Sequence, residues 1–167
     1  MKKHILTAAL ALAASTAALA GPFYAGVGLH AAQLDAPSAS VQDRDGEGLR
    51  LMGGYQLDKT WAVEGSYART HGMTVGSSVK GHETSVALVG SYPLASKLSA
   101  VGKVGVSHSR LEAGSQDWSN NSLVMGAGVS YALDKHWHVR TEWEHTRDFA
   151  DSGEAVNKVA MTLIKAF

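Results

Sequence analysis

The chain has 167 residues, with 18 glycines, three prolines, no cysteine, and 15 basic against 15 acidic side chains. Without cysteine there are no disulfides and no thiolate chemistry. The balanced charge argues against a nucleic-acid partner, which needs a basic surface, and the length fits one domain.

Met1-Lys2-Lys3-His4 opens the chain, followed by an apolar, alanine- and leucine-rich run from Ile5 to Leu19 and then Ala18-Leu19-Ala20 before Gly21. A charged start, a short apolar run and a small-x-small site predict a secretory signal peptide over residues 1–20. The domain then covers 21–167, with 13 basic and 15 acidic residues and a net charge of −2.

From residue 23 onward apolar and polar residues alternate with period two, the mark of strands with two different faces. Eight strands are expected, near 23–31, 48–57, 61–69, 83–92, 98–108, 122–133, 137–146 and 158–167. Their connections alternate in length. Short ones lie at 58–60, 93–97 and 134–136. Long polar ones, rich in Gly, Ser and Asp, lie near 32–47, 70–82, 109–121 and 147–157. The three short connections follow related phrases, YQLDKTWAV (55–63), YPLASKLSA (92–100) and YALDKHWHV (131–139). A phrase repeated at the same end of successive hairpins solves one local problem several times. Tyr55, Trp61, Tyr92, Tyr131 and Trp137 would form a girdle of rings at a membrane–water boundary.

Parity sorts the side chains by face. Leu49, Leu51, Tyr55, Val63, Tyr67, Val104, Val106, Val139 and Trp143 fall on one face. Arg50, Glu64, Lys103, Arg140, Glu142, Glu144 and Lys158 fall on the other, together with Gly26, Gly28, Gly54, Gly105, Gly126 and Gly128. A soluble barrel would put the aromatic face inside; a membrane barrel puts it outside. Alternation alone fits both.

The end of the chain, NKVAMTLIKAF, places Val159, Met161, Leu163 and Phe167 on one face, with Phe167 last. Together with GGY (53–55), AVEGSY (62–67) and GAGVSY (126–131), this resembles the small bacterial outer-membrane β-barrel proteins of the OmpA-transmembrane and OmpX type. The resemblance spans nearly the whole chain after residue 20 and is architectural. It implies an all-β, eight-stranded antiparallel up-and-down transmembrane barrel in the cell outer membrane; no soluble domain is expected after Phe167. It also implies an assembly signal in Val159, Met161, Leu163 and Phe167, read by the barrel assembly machinery. Lys165 departs from that pattern and is expected to reach the periplasmic interface. The family further implies a luminal salt-bridge network, with Glu64 and Lys103 best matching its placement.

A barrel of eight strands has room inside only for side chains, so the inward charges must pair. Arg50 and Arg140 are the expected partners of Glu64, and Glu142 that of Lys103. The expected function is structural and surface contact: envelope integrity, adhesion, or host or ligand contact through the long loops, with Trp118 and Phe149 as contact residues. The expected partners are outer-membrane lipid and lipopolysaccharide, the assembly machinery and a host or surface ligand. No enzyme activity, cofactor or metal is expected; His136 and His138 share a face without a third ligand. The alternatives are a lipid-modifying outer-membrane enzyme with a loop-assembled site and a narrow ion channel.

Overall fold

In the computed structural model, residues 22–35, 45–75, 77–113, 116–147 and 155–167 are described. They form β1 (Phe23–Asp35), β2 (Asp45–Gln56), β3 (Trp61–Val75), β4 (Ser77–Pro93), β5 (Leu98–Ala113), β6 (Gln116–Ala132), β7 (Trp137–Thr146) and β8 (Ala155–Ala166). Each strand pairs antiparallel with the next, and β8 returns to β1 in a register that sets Val27 opposite Leu163, which closes the barrel. Closure leaves no sheet edge to pair with another chain.

The period-two pattern translates into two environments. Leu29 (65% exposed), Val106 (62%) and Met161 (60%) belong to the outer wall, with Leu51, Val63, Leu88, Val104 and Val129. Exposure of so many large apolar side chains suits a lipid wall rather than water. The lumen is filled. At the end that carries the short turns, Tyr24, Met52, Ala62, Val89, Val101 and Ile164 pack into an apolar cluster. Above it the inward residues are charged.

The three short turns share one closure. In the first, Leu57 N–H and Asp58 N–H both donate to Trp61 C=O, at 2.9 and 3.2 Å; in the third, Leu133 and Asp134 do the same to Trp137, at 2.9 and 3.3 Å. Asp58 Oδ1 accepts from the N–H groups of Thr60 and Trp61, and Asp134 Oδ1 from those of His136 and Trp137. The middle turn closes through Leu94 and Ala95 onto Leu98 C=O, with Ala where the others have Asp. The repeated phrase is thus a turn motif in which an aspartate side chain stands in for missing backbone acceptors.

Two of the expected long loops are strand. β3 runs on to Val75 and β4 starts at Ser77, while β5 reaches Ala113 and β6 starts at Gln116. Likewise β1 extends to Asp35, β2 starts at Asp45 and β8 at Ala155. The reason is physical: Gly, Ser and Asp interrupt the alternation there while the backbone ladder continues. A register shift between Thr70 and Met73, around Gly72, marks an irregularity in the β3–β4 extension, as a β-bulge does.

Candidate functional site

The lumen gathers the seven charged residues expected there, and an eighth. Arg50, Glu64, Lys103, Arg140, Glu142, Glu144 and Lys158 are all buried, as is Glu83 on β4. Four cations face four carboxylates. Glu144 accepts from both Arg50 Nη1 and Lys103 Nζ, and its second oxygen lies 3.6 Å from Lys158 Nζ. Lys158 donates to Glu83, whose other oxygen accepts from Ser109 at 3.4 Å. Glu142 sits between, 3.6 Å from Arg50 and 3.8 Å from both Lys103 and Arg140. Nearest the short turns, Glu64 accepts from Arg140 Nη1 at 2.5 Å and from the Tyr24 hydroxyl at 2.7 Å. The Arg140 guanidinium also lies over the Tyr24 ring, 6.0 Å from its centroid.

The network is continuous from Tyr24 to Ser109. Arg140 takes Glu64 as one of the two cations expected for it, whereas Arg50 lies instead on Glu144 and Glu142. Lys103 has Glu142 at 3.8 Å, as expected, but donates to Glu144. Parity gives the face of a side chain but not its height in the lumen, and height chooses the partner. Glycines make the space: a Cβ on Gly54 would stand 2.2 Å from Tyr24 Cζ, and one on Gly126 would stand 3.2 Å from Lys103 Cε. Glu83 was legible as well, since it shares parity with Ser85, Ala87 and Val89. Tyr24 shares parity with Gly26 and Gly28 and so was legible as inward too, though nothing in the sequence named Glu64 as its partner.

Toward the far end His30 is buried and its Nε2 lies 2.9 Å from Thr70 Oγ1. Among the described residues no three histidine or carboxylate side chains are arranged around a common metal position.

On the outer wall, Tyr55, Trp61, Tyr92 and Tyr131 are exposed at the short-turn end and Trp137 is half-buried there. Phe23 meets Tyr55 edge-on, with centroids 4.9 Å apart. Val159, Met161 and Leu163 also face outward on β8, and Phe167 N–H donates to Phe23 C=O at 3.1 Å. Lys165 Nζ stands 5.6 Å from the Trp137 ring centroid and 5.3 Å from that of Phe167, so the ammonium that interrupts the terminal pattern is held among rings at that end. Trp118 lies on β6 opposite Leu111; its side chain, and Phe149 altogether, fall outside the described residues. Asp58 and Asp134, in the turns, are held below the ordinary aspartate range by the backbone N–H groups they accept from.

The family model described as outer membrane protein beta-barrel domain matches residues 5–162. In sequence the chain is 29% identical over 116 residues to the attachment invasion locus protein of Yersinia enterocolitica, a match covering 63% of this chain and 65% of that protein. The chain thus spans just under two thirds of that relative's length. In structure it is similar to Neisserial surface protein A, with a TM-score of 0.73 at 15% identity, covering 88% of this chain and 98% of the other. It is also similar to the attachment invasion locus protein of Yersinia pestis crystallised with the heparin analogue sucrose octasulfate (TM-score 0.63, 19% identity, 87% and 97% covered).

Proposed function

Because the chain belongs to the outer membrane protein β-barrel family, we propose that it is an integral outer-membrane barrel, exported by a leader over residues 1–20, that acts as a plugged scaffold for surface contact. The observation that carries this reading is the filled lumen. Eight paired charges and an apolar cluster occupy the space through which a solute would have to pass. An eight-stranded barrel leaves no room for a water column beside them, so the working surfaces are the outer wall and the extracellular hairpins.

Those hairpins, β3–β4 and β5–β6, are ladders rather than loose loops, and they continue beyond the apolar wall. Adhesion or envelope contact is the role this supports, in keeping with the attachment and invasion that give the Yersinia relative its name. Trp118 and Phe149 remain the proposed contact residues, and the barrel assembly machinery the proposed reader of Val159, Met161, Leu163 and Phe167.

Two measurements test the reading. Cell fractionation with a heat-modifiability gel should find a folded barrel in the outer-membrane fraction. Cells displaying the chain should adhere to host cells or matrix more than cells displaying a version with residues 70–82 and 111–118 shortened to tight turns. A soluble periplasmic product would refute the membrane assignment. Equal adherence by the two versions would refute the role of the hairpins while leaving that assignment standing.

A further inference from the structure

The outer half of the lumen holds a titratable group that the ion pairs do not use. His30 on β1 is only 5% exposed. Its Nε2 lies 2.9 Å from Thr70 Oγ1 on β3, while its Nδ1 is buried and has no hydrogen-bond partner among the described residues. The imidazoles of the outer wall differ. Nδ1 of His82, His108 and His145 lies 2.7, 2.9 and 3.0 Å from the Tyr67 hydroxyl, Asn121 Oδ1 and Asn157 Oδ1. A buried polar atom without a partner is rare in a native protein and calls for a reason.

The surroundings of the ring are set by its neighbours. Gly48 stands opposite it on β2 and Ala160 on β8. A Cβ on Gly48 would come within 2.6 Å of His30 Cε1, so the ring rests on bare backbone there. The charged groups that face it are Arg50 on β2, Glu83 on β4, Glu144 on β7 and Lys158 on β8. Both carboxylates are engaged. Glu83 accepts from Lys158 and Ser109. Glu144 accepts from Arg50 and Lys103, with Lys158 at 3.6 Å.

A neutral imidazole offers this site one donor and one acceptor. Once protonated, both nitrogens donate and the ring is a cation. Four cations already face four carboxylates in the lumen, so an imidazolium is one cation too many, and a buried charge without a counter-charge is costly. Its new N–H finds an acceptor only in a carboxylate that Lys158 now holds. Acid reaches the ring from one side. The apolar cluster of Tyr24, Met52, Ala62, Val89, Val101 and Ile164 closes the short-turn end, whereas the inward residues toward the other end include Ser107, Ser109, Ser122 and Thr146.

We propose that His30 is an acid-operated release in the outer half of the barrel: a proton on Nδ1 draws Glu83 from Lys158 and loosens the hold of β8 on β4. The lumen then yields first at the end that carries the hairpins, while the Glu64–Arg140 pair near the short turns stays closed. This device concerns the lumen alone and stands whether or not the hairpins adhere.

The test is hydrogen–deuterium exchange on the whole folded chain in phosphatidylcholine nanodiscs. Exchange is followed at about pH 7.5 and about pH 5, either side of the ordinary imidazole value near 6.5, and corrected for the intrinsic effect of pH. In the unaltered chain, residues 155–160 of β8 and 81–85 of β4 should open at least about fivefold more readily at the lower pH, while residues 61–65 of β3 change less than about twofold. H30N, which takes no proton, should abolish the difference, and H30Q should do the same. H145N, on the outer wall, should leave it intact. No acceleration in the unaltered chain, equal acceleration of residues 61–65, an undiminished effect in H30N or H30Q, or an equal loss in H145N would each overturn the proposal. A heat-modifiability gel reports insertion of every sample; if neither His30 variant inserts, the contrast between segments of the unaltered chain still decides.

Discussion

Glu64 is the residue on which the lower lumen turns, because one carboxylate oxygen serves both Arg140 and Tyr24. Glu64→Gln should leave the Arg140 guanidinium buried without its counter-charge, at a cost of up to about 3–5 kcal/mol, less where lumen water reaches it. Arg140→Met should cost a similar amount, and the double variant clearly less than the sum of the two. Urea unfolding from lipid vesicles measures all three, and additive costs would show that the pair is not coupled. Gly54→Ala tests the same cluster from its other side. Its methyl collides with the Tyr24 ring, so the phenol must leave Glu64, at about 1–3 kcal/mol; unchanged stability would mean that the ring has another place to go. At this scale the sequence was only half legible. Parity named seven inward charges from their spacing, yet the Arg50–Glu144 pair joins side chains 94 positions apart, and no local pattern encodes which pairs meet across a lumen.

Turns and walls are the features of single elements, and they respond to different agents. Asp58 and Asp134 each accept two backbone N–H bonds, which hold their carboxyls below the ordinary value of 3.8. A depressed folded-state value means that their stabilisation is complete above about pH 3.8 and is lost as pH falls through the folded-state value. D58N/D134N keeps an acceptor oxygen but loses the titration. Its unfolding midpoint should therefore depend less on acid than that of the unaltered chain below about pH 4, and identical acid profiles would refute the turn mechanism. The wall responds to charge. Val104 faces outward near mid-strand, and Val104→Arg should cost roughly 2–4 kcal/mol in lipid vesicles; a neutral effect would mean that the wall does not face hydrocarbon. Strand count, order and facing were readable from alternation because lipid on one side and polar side chains on the other impose it. The β3–β4 and β5–β6 extensions were not, since Gly, Ser and Asp break up the alternation from which a strand is recognised.

For the whole molecule, the filled lumen sets the expectation for transport. Reconstituted in planar bilayers, the unaltered chain should show no large, steady conductance, and such a conductance would favour the channel reading over the plug. Closure of β8 on β1 was inferable from the terminal phrase because a last strand with one apolar face must lie against lipid and find a partner. The distribution of the ion pairs has a further, mechanical meaning. Arg50, Glu64, Glu83 and Lys103 stand on β2, β3, β4 and β5, whereas Arg140, Glu142, Glu144 and Lys158 stand on β7 and β8. The bonds from Arg140 to Glu64 and from Lys158 to Glu83 join strands on opposite sides of the barrel, and that from Arg50 to Glu144 joins β2 to β7, whereas Lys103 reaches Glu144 over Gly126 of the intervening β6. The first three are struts across the hollow rather than rivets along a seam. Parting β1 from β8 loads the Arg50–Glu144 strut that spans that seam, while the Arg140–Glu64 and Lys158–Glu83 struts hold opposite walls together, so the cylinder resists flattening under lateral membrane pressure.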